Sequence, residues 1–196
     1  MRLSMHKKIK KIRNLVILAC QILILSTLFF AQDSFRAQPL PPSSYVTLTP
    51  DSKILFGLSQ GGSSALLEGW SGIEEWGVWS EKPVARMALD LQSQDLGAQT
   101  VRISVNYFYV GYSGGFKYSI FVNEKKYSDN IVSTISDDDS ILIDLKSIAK
   151  GNNLSALIRF EFKALTSPKD LGVSEDSRLL GIGLKSVELI PTQKSD

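Results

Sequence analysis

Three tryptophans, the only ones in the chain, fall within ten positions of one another in the run Glu68-Gly-Trp70-Ser-Gly-Ile-Glu74-Glu75-Trp76-Gly-Val-Trp79-Ser80. Indole rings beside carboxylates suit sugar recognition. The ring face takes the apolar C–H side of a pyranose, and the acids accept from its hydroxyls. Trp70, Glu74, Glu75, Trp76 and Trp79 are therefore the candidate ligand residues, with a glycan as the ligand class. The same rings have a competing use, closing one end of a β-sandwich with their N–H groups bonded to backbone carbonyls. The run predicts both: one or two structural rings and one exposed.

The residues missing from the chain exclude more chemistry than those present admit. The sole histidine is His6 and the sole cysteine is Cys20. Everything after residue 31 lacks both types, which removes Ser-His-Asp and Cys-His catalysis and zinc sites built on those ligands. No disulfide framework exists, so stability has to come from a core. Carboxylates remain, among them Glu68, Glu74, Glu75, Asp90, Asp95, Glu161, Glu175 and Asp176. Two suitably spaced acids suffice for a glycosidase. Any domain of this size offers such a list, so no catalytic residue is assigned and the expectation is a non-enzyme, with a carboxylate-only hydrolase as the open alternative. Asp137-Asp138-Asp139 lacks the spacing and glycine of a calcium loop and reads as a solvated acidic turn. Gly61-Gly62 and Gly114-Gly115 lack the lysine or helix start of a phosphate cradle. No metal or cofactor is implied.

Charge separates the chain into parts. Residues 1–31 hold six basic side chains (Arg2, Lys7, Lys8, Lys10, Lys11, Arg13) and no acid. Removing those six from the total of 22 leaves 16 basic against 20 acidic residues, a net charge of −4 for the remainder. Such a balance argues against nucleic acid, which rewards clustered cations. Behind the basic tail (1–14) comes an uncharged apolar segment, residues 15–31, long enough as a helix to cover about 25 Å. It reads as a transmembrane anchor with its basic flank in the cytoplasm and the rest of the chain outside. The alternative is a signal segment cleaved near Ala31, although that places Phe29 where a small residue is wanted. Cys20 then reads as a membrane-buried thiol. Residues 32–44, with Pro39, Pro41 and Pro42, form a linker, and 192–196 a polar tail.

Between them, over 45–191, the dominant period is two. Val101, Ile103, Val105 and Tyr107 alternate with Arg102, Ser104 and Asn106. Ala156, Ile158, Phe160, Phe162 and Ala164 do so with Arg159, Glu161 and Lys163. Ala85, Met87, Leu89 and Leu91 form a third set, and Tyr118, Ile120 and Val122 a fourth. Strands with one wet and one dry face predict an antiparallel sandwich. Further strands are expected at Tyr45–Leu48, Lys53–Gly57, Gly77–Trp79, Ser140–Asp144 and Leu179–Ile190. In the last of these the parity slips between Leu184 and Val187, which predicts a β-bulge near Lys185-Ser186. Asp144–Ala149 followed by Gly151 predicts a single helical turn. The expected fold is an all-β, jelly-roll-like sandwich of eight or nine strands.

Gly69-Trp70-x-x-x-Glu74-x-Trp76-Gly77-x-Trp79-Ser80 and the later run Ser167-Pro168-x-x-Leu171-Gly172-x-Ser174-x-Asp176-x-Arg178-x-Leu180-Gly181-Ile182 together resemble a β-sandwich domain of unknown function. That domain occurs attached to bacterial membrane glycosyltransferases and phosphoglycerol-transferase-like enzymes. The resemblance, over about residues 54–190, implies the sandwich fold and a setting in surface polysaccharide assembly, with a membrane glycosyltransferase as a partner supplied in trans. Asp176 and Arg178 fit it physically: a bidentate pair before the last strand suits a structural latch against the tryptophan end. The expectation from the sequence is a non-catalytic, glycan-binding module of the bacterial envelope. A scaffold that positions a transferase without binding sugar is the alternative.

Overall fold

A computed structural model describes residues 45–108, 114–136 and 139–192. The basic tail, apolar segment and linker expected over 1–44 lie outside those residues, as does most of the polar tail. Among the described residues, no helix is long and apolar enough to cross a membrane.

Among the described residues, ten strands follow one another: β1 (Val46–Leu48), β2 (Lys53–Leu55), β3 (Val78–Trp79), β4 (Val84–Gln92), β5 (Gln99–Tyr107), β6 (Phe116–Val122), β7 (Lys125–Val132), β8 (Ser140–Asp144), β9 (Asn153–Phe162) and β10 (Ile182–Pro191). The first sheet runs β1-β4-β9-β6-β7, and the second β2-β10-β5-β8 with β3 also on β10. From β3 onward the chain crosses between sheets at every step except the β6–β7 hairpin. Each crossing carries an alternating strand that must bury one face, and the two dry faces meet. Met87, Leu89, Leu91, Ile158 and Phe160 from one sheet share a buried cluster with Ile103, Val105, Ile182, Leu184 and Val187 from the other. Side chains of this kind each contribute about 1.5–3 kcal/mol on burial.

Apart from Ala164, beyond the end of β9, the four alternating sets lie on the buried faces of β4, β5, β6 and β9 as the pattern requires. The bulge is present. The register between β10 and β5 jumps from Leu184–Val105 to Ser186–Ser104, leaving Lys185 as the extra residue. Residues 145–149 make one turn, with Ile148 and Ala149 N–H both donating to the Leu145 carbonyl at 3.0 and 2.8 Å, before Gly151 at φ +90°.

Two features depart from expectation. β1 pairs parallel to β4, Val46 beside Leu89, because the chain leaves β1 for the other sheet rather than turning back on itself. β7 is a strand the periodicity does not announce. It is the edge of its sheet, with exposed or half-buried residues throughout, and it is joined to β6 through Asn123 and Glu124 at φ +48° and +63°, a turn that uses no glycine.

Candidate functional site

The tryptophan run is stitched to β10. Val78 and Trp79 pair with Leu184 and Gly183, and Ser80 donates its N–H to the Ile182 carbonyl at 2.7 Å. This close approach needs glycine twice. A Cβ on Gly77 would sit 2.1 Å from the Leu184 carbonyl oxygen, and one on Gly183 would sit 2.4 Å from Cη2 of Trp76. The Trp76 ring therefore lies over the bare backbone of β10.

The three indoles have different fates. Trp70 packs edge-on against Phe160 with centroids 6.1 Å apart and donates Nε1–H to the Arg86 carbonyl at 2.6 Å, so it is a structural ring. Trp79 is half-buried between Trp76 at 5.1 Å and Phe108 at 6.2 Å. Trp76 stays 36% exposed, and its Nε1–H donates to Glu74 Oε2 at 2.9 Å. The other Glu74 oxygen accepts from Arg178 Nη1 at 3.0 Å, and Arg178 also chelates Asp176 through Nε at 3.0 Å and Nη2 at 2.7 Å. Asp176, Arg178, Glu74 and Trp76 thus form one unbroken polar chain. Hydrogen bonds from the Arg178 side chain and backbone hold the Asp176 carboxyl below its ordinary range, and the guanidinium is raised in turn, chiefly by Asp176.

Trp76 and Glu75 line a groove of about 700 Å³ on the outer face of the second sheet. Its floor follows from strand register. Leu55 pairs with Ser186, Ser186 with Ser104, and Ser104 with Ser140, so three short hydroxyl side chains stand in one row across β10, β5 and β8. Two residues along the strands, Lys53, Glu188 and Arg102 form the next row and rise as a wall. Glu188 accepts from Arg102 Nε at 3.0 Å and faces Lys53 Nζ at 3.4 Å. Asn106, Asp139 and Trp76 line the groove elsewhere.

The predicted site residues are therefore divided. Trp76 and Glu75 line the groove, Glu74 and Trp79 support Trp76, Asp176 and Arg178 hold Glu74, and Trp70 faces away. The serine row and the wall opposite were missed, because their members are far apart in sequence and only register unites them. A second concavity of about 800 Å³ at the end of the sandwich, bordered by Asp51, Gln92, Asp95 and Asn152, has no aromatic residue in its lining. Asp129, through hydrogen bonds from Lys126 and Ser119, and Asp176, through Arg178, are both held below the ordinary carboxylate range, the opposite of what a general acid requires.

No family model matches the chain, nor does any curated protein. The likeness read from the tryptophan and closing runs therefore stands on those residues alone. Among solved structures, the chain is similar to the Podospora anserina GH26-CBM35 β-(1,4)-mannanase, at 9% identity and TM-score 0.35, covering 74% of this chain and 26% of that one. It is similar to a two-domain esterase active on acetylated mannans, co-crystallized with mannopentaose, at 12% identity and TM-score 0.35, covering 91% and 47%. A third is latent PorU of Porphyromonas gingivalis, at 12% identity and TM-score 0.34, covering 70% and 12%. This chain spans less than half the length of each of these proteins. At these scores no property passes from them to it.

Proposed function

We propose that the protein is a non-catalytic glycan-binding module whose site is the groove on the outer face of the second sheet. One observation carries this reading: an exposed Trp76 ring is fixed along one side of a trough whose floor is hydroxyl groups. A pyranose stacks its C–H face on such a ring and exchanges hydrogen bonds with Ser104, Asn106, Ser140 and the carboxylates around it. We read the alternating strand order, β3-β10-β5-β8 facing β4-β9-β6-β7, as a jelly roll. Binding without turnover is favoured because Glu188, one of the groove carboxylates, is held by Arg102 and Lys53.

The proposed setting is the outer side of a bacterial cytoplasmic membrane, reached through the apolar segment at 15–31, with envelope polysaccharide as ligand. A membrane glycosyltransferase is the proposed partner in trans. Glycan-array screening followed by calorimetry tests the reading. Binding of an oligosaccharide that disappears in Trp76→Ala is the expected result. Absence of binding to any glycan, or binding that ignores Trp76, refutes it.

A further inference from the structure

We infer that the ligand is a neutral, unbranched oligosaccharide laid across the strands, along the row Ser186, Ser104 and Ser140. This rests on the glycan-binding reading and specifies its direction and chemical class.

The direction comes from side-chain size. The outward positions of four adjacent strands in this row are Leu55, Ser186, Ser104 and Ser140, and neighbouring strands lie about 4.8 Å apart, so the row spans about 14 Å. That is the length of an oligosaccharide rather than of one ring. Ser186 is 3% exposed and forms the floor itself. A ligand turned to run along the strands meets Lys53, Glu188 and Arg102 within one pleat repeat, about 7 Å away. Trp76 and Asn106 close the other side. A channel walled on both flanks and open along its length admits a linear chain and rejects branches at the walls.

The class comes from charge. Arg102 donates to Glu188 through Nε at 3.0 Å and Nη2 at 2.9 Å, and Lys53 approaches the same carboxylate at 3.4 Å. These two wall cations are already matched. Lys185 also lines the groove, so three cations stand against Glu75, Asp139 and Glu188 with no net charge. An acidic polymer would gain only by displacing Glu188 from its two partners while facing the other two carboxylates. Hydroxyl groups face no such competition, since serine and asparagine both donate and accept.

The test is calorimetric titration of the full-length chain with cellotetraose, mannotetraose and chitotetraose, with the matching monosaccharides and with tetragalacturonate. At least one neutral tetramer should bind, its monosaccharide at least tenfold more weakly, and tetragalacturonate not measurably. Ser104→Tyr, which fills the trough at its midpoint with a residue favoured on a strand surface, should lower affinity at least tenfold without lowering the melting temperature. Ile131→Tyr, exposed on β7 of the other sheet, should leave affinity unchanged. If Trp76→Ala abolishes binding while Ser104→Tyr leaves it intact, the serine track is wrong and the glycan reading stands. Tighter binding of tetragalacturonate than of every neutral tetramer overturns the class. Binding of none of these sugars refutes the neutral linear class, and the glycan reading falls with it only if the array also shows no bound glycan.

Discussion

On the outer face of the first sheet, strand register aligns Arg86, Arg159, Phe121 and Lys126 across β4, β9, β6 and β7. The corresponding row on the second sheet is Leu55, Ser186, Ser104 and Ser140. Both rows cross four strands of one sandwich, and both face away from the core. In the first, the Arg159 guanidinium lies 3.8 Å from the Phe121 ring centre and pairs with Glu161 and, at 3.1 Å, with Glu124, leaving the side chain 12% exposed. Arg86 pairs with Glu68. Long side chains lying flat cover their own strands, as amphipathic stems do. Three serines cannot, and the second face stays open. A sheet surface becomes a groove or a closed face according to side-chain length along one row.

This contrast can be broken at several points. Gly77→Ala has the largest expected effect, because its Cβ would meet the backbone oxygen of Leu184 at 2.1 Å and push the tryptophan segment off β10. Denaturant unfolding should show a loss of about 3 kcal/mol, with binding lost as well. Trp76→Ala and Arg159→Ala then form a crossed pair. The first should remove about 2 kcal/mol of glycan affinity by calorimetry while barely moving the melting temperature, since the ring is partly exposed. The second should lower stability by about 1 kcal/mol, from the lost cation–π contact and ion pairs, and leave affinity alone. If each variant affects both properties equally, the division of labour between the faces is wrong.

Smaller effects sharpen the comparison. Glu74→Gln keeps an acceptor for the Trp76 N–H but gives up its charge opposite Arg178, so affinity should fall by a few-fold with unaltered folding. Acid provides the last test. Asp176 has a lowered pKa, so its pairing with Arg178 contributes above the ordinary carboxylate value and is lost only as pH falls through the lowered one. Tryptophan emission should therefore be constant from pH 8 to about 4 and change below that. Asp176→Asn should abolish the change. A transition near pH 5 would contradict the assignment.

Most of the sandwich was legible because its strands each bury one face. Alternation in β4, β5, β6 and β9 located them, and the parity slip in β10 located the bulge at Lys185. β7 escaped because Lys125–Val132 is a sheet edge that is exposed or half-buried throughout, so no apolar period is imposed on it. The parallel placement of β1 is a long-range choice with no local signal. In the site, the clustered rings and the Asp176–Arg178 pair could be read directly, since they are neighbours in the chain. Which ring stays in solvent could not, because Gly183, more than a hundred positions away, decides where Trp76 rests. The link from Arg178 to Glu74 and the serine row are likewise products of pairing between distant segments.

The bulge also governs how an edge is shared. β10 holds β3 at Gly183 and Leu184 and β2 at Ser186 through Glu188, one short strand on either side of the irregularity, and the Lys185 carbonyl between them accepts the Phe56 N–H at 3.0 Å. Removing Lys185 would leave the inside–outside alternation of β10 intact, since Leu184 and Val187 would then have a single residue between them. The core has no need of this position. It acts as a spacer in a mitred joint, bending β10 so that two unrelated segments can share one border. What the joint demands at 185 is a residue, before it demands a lysine.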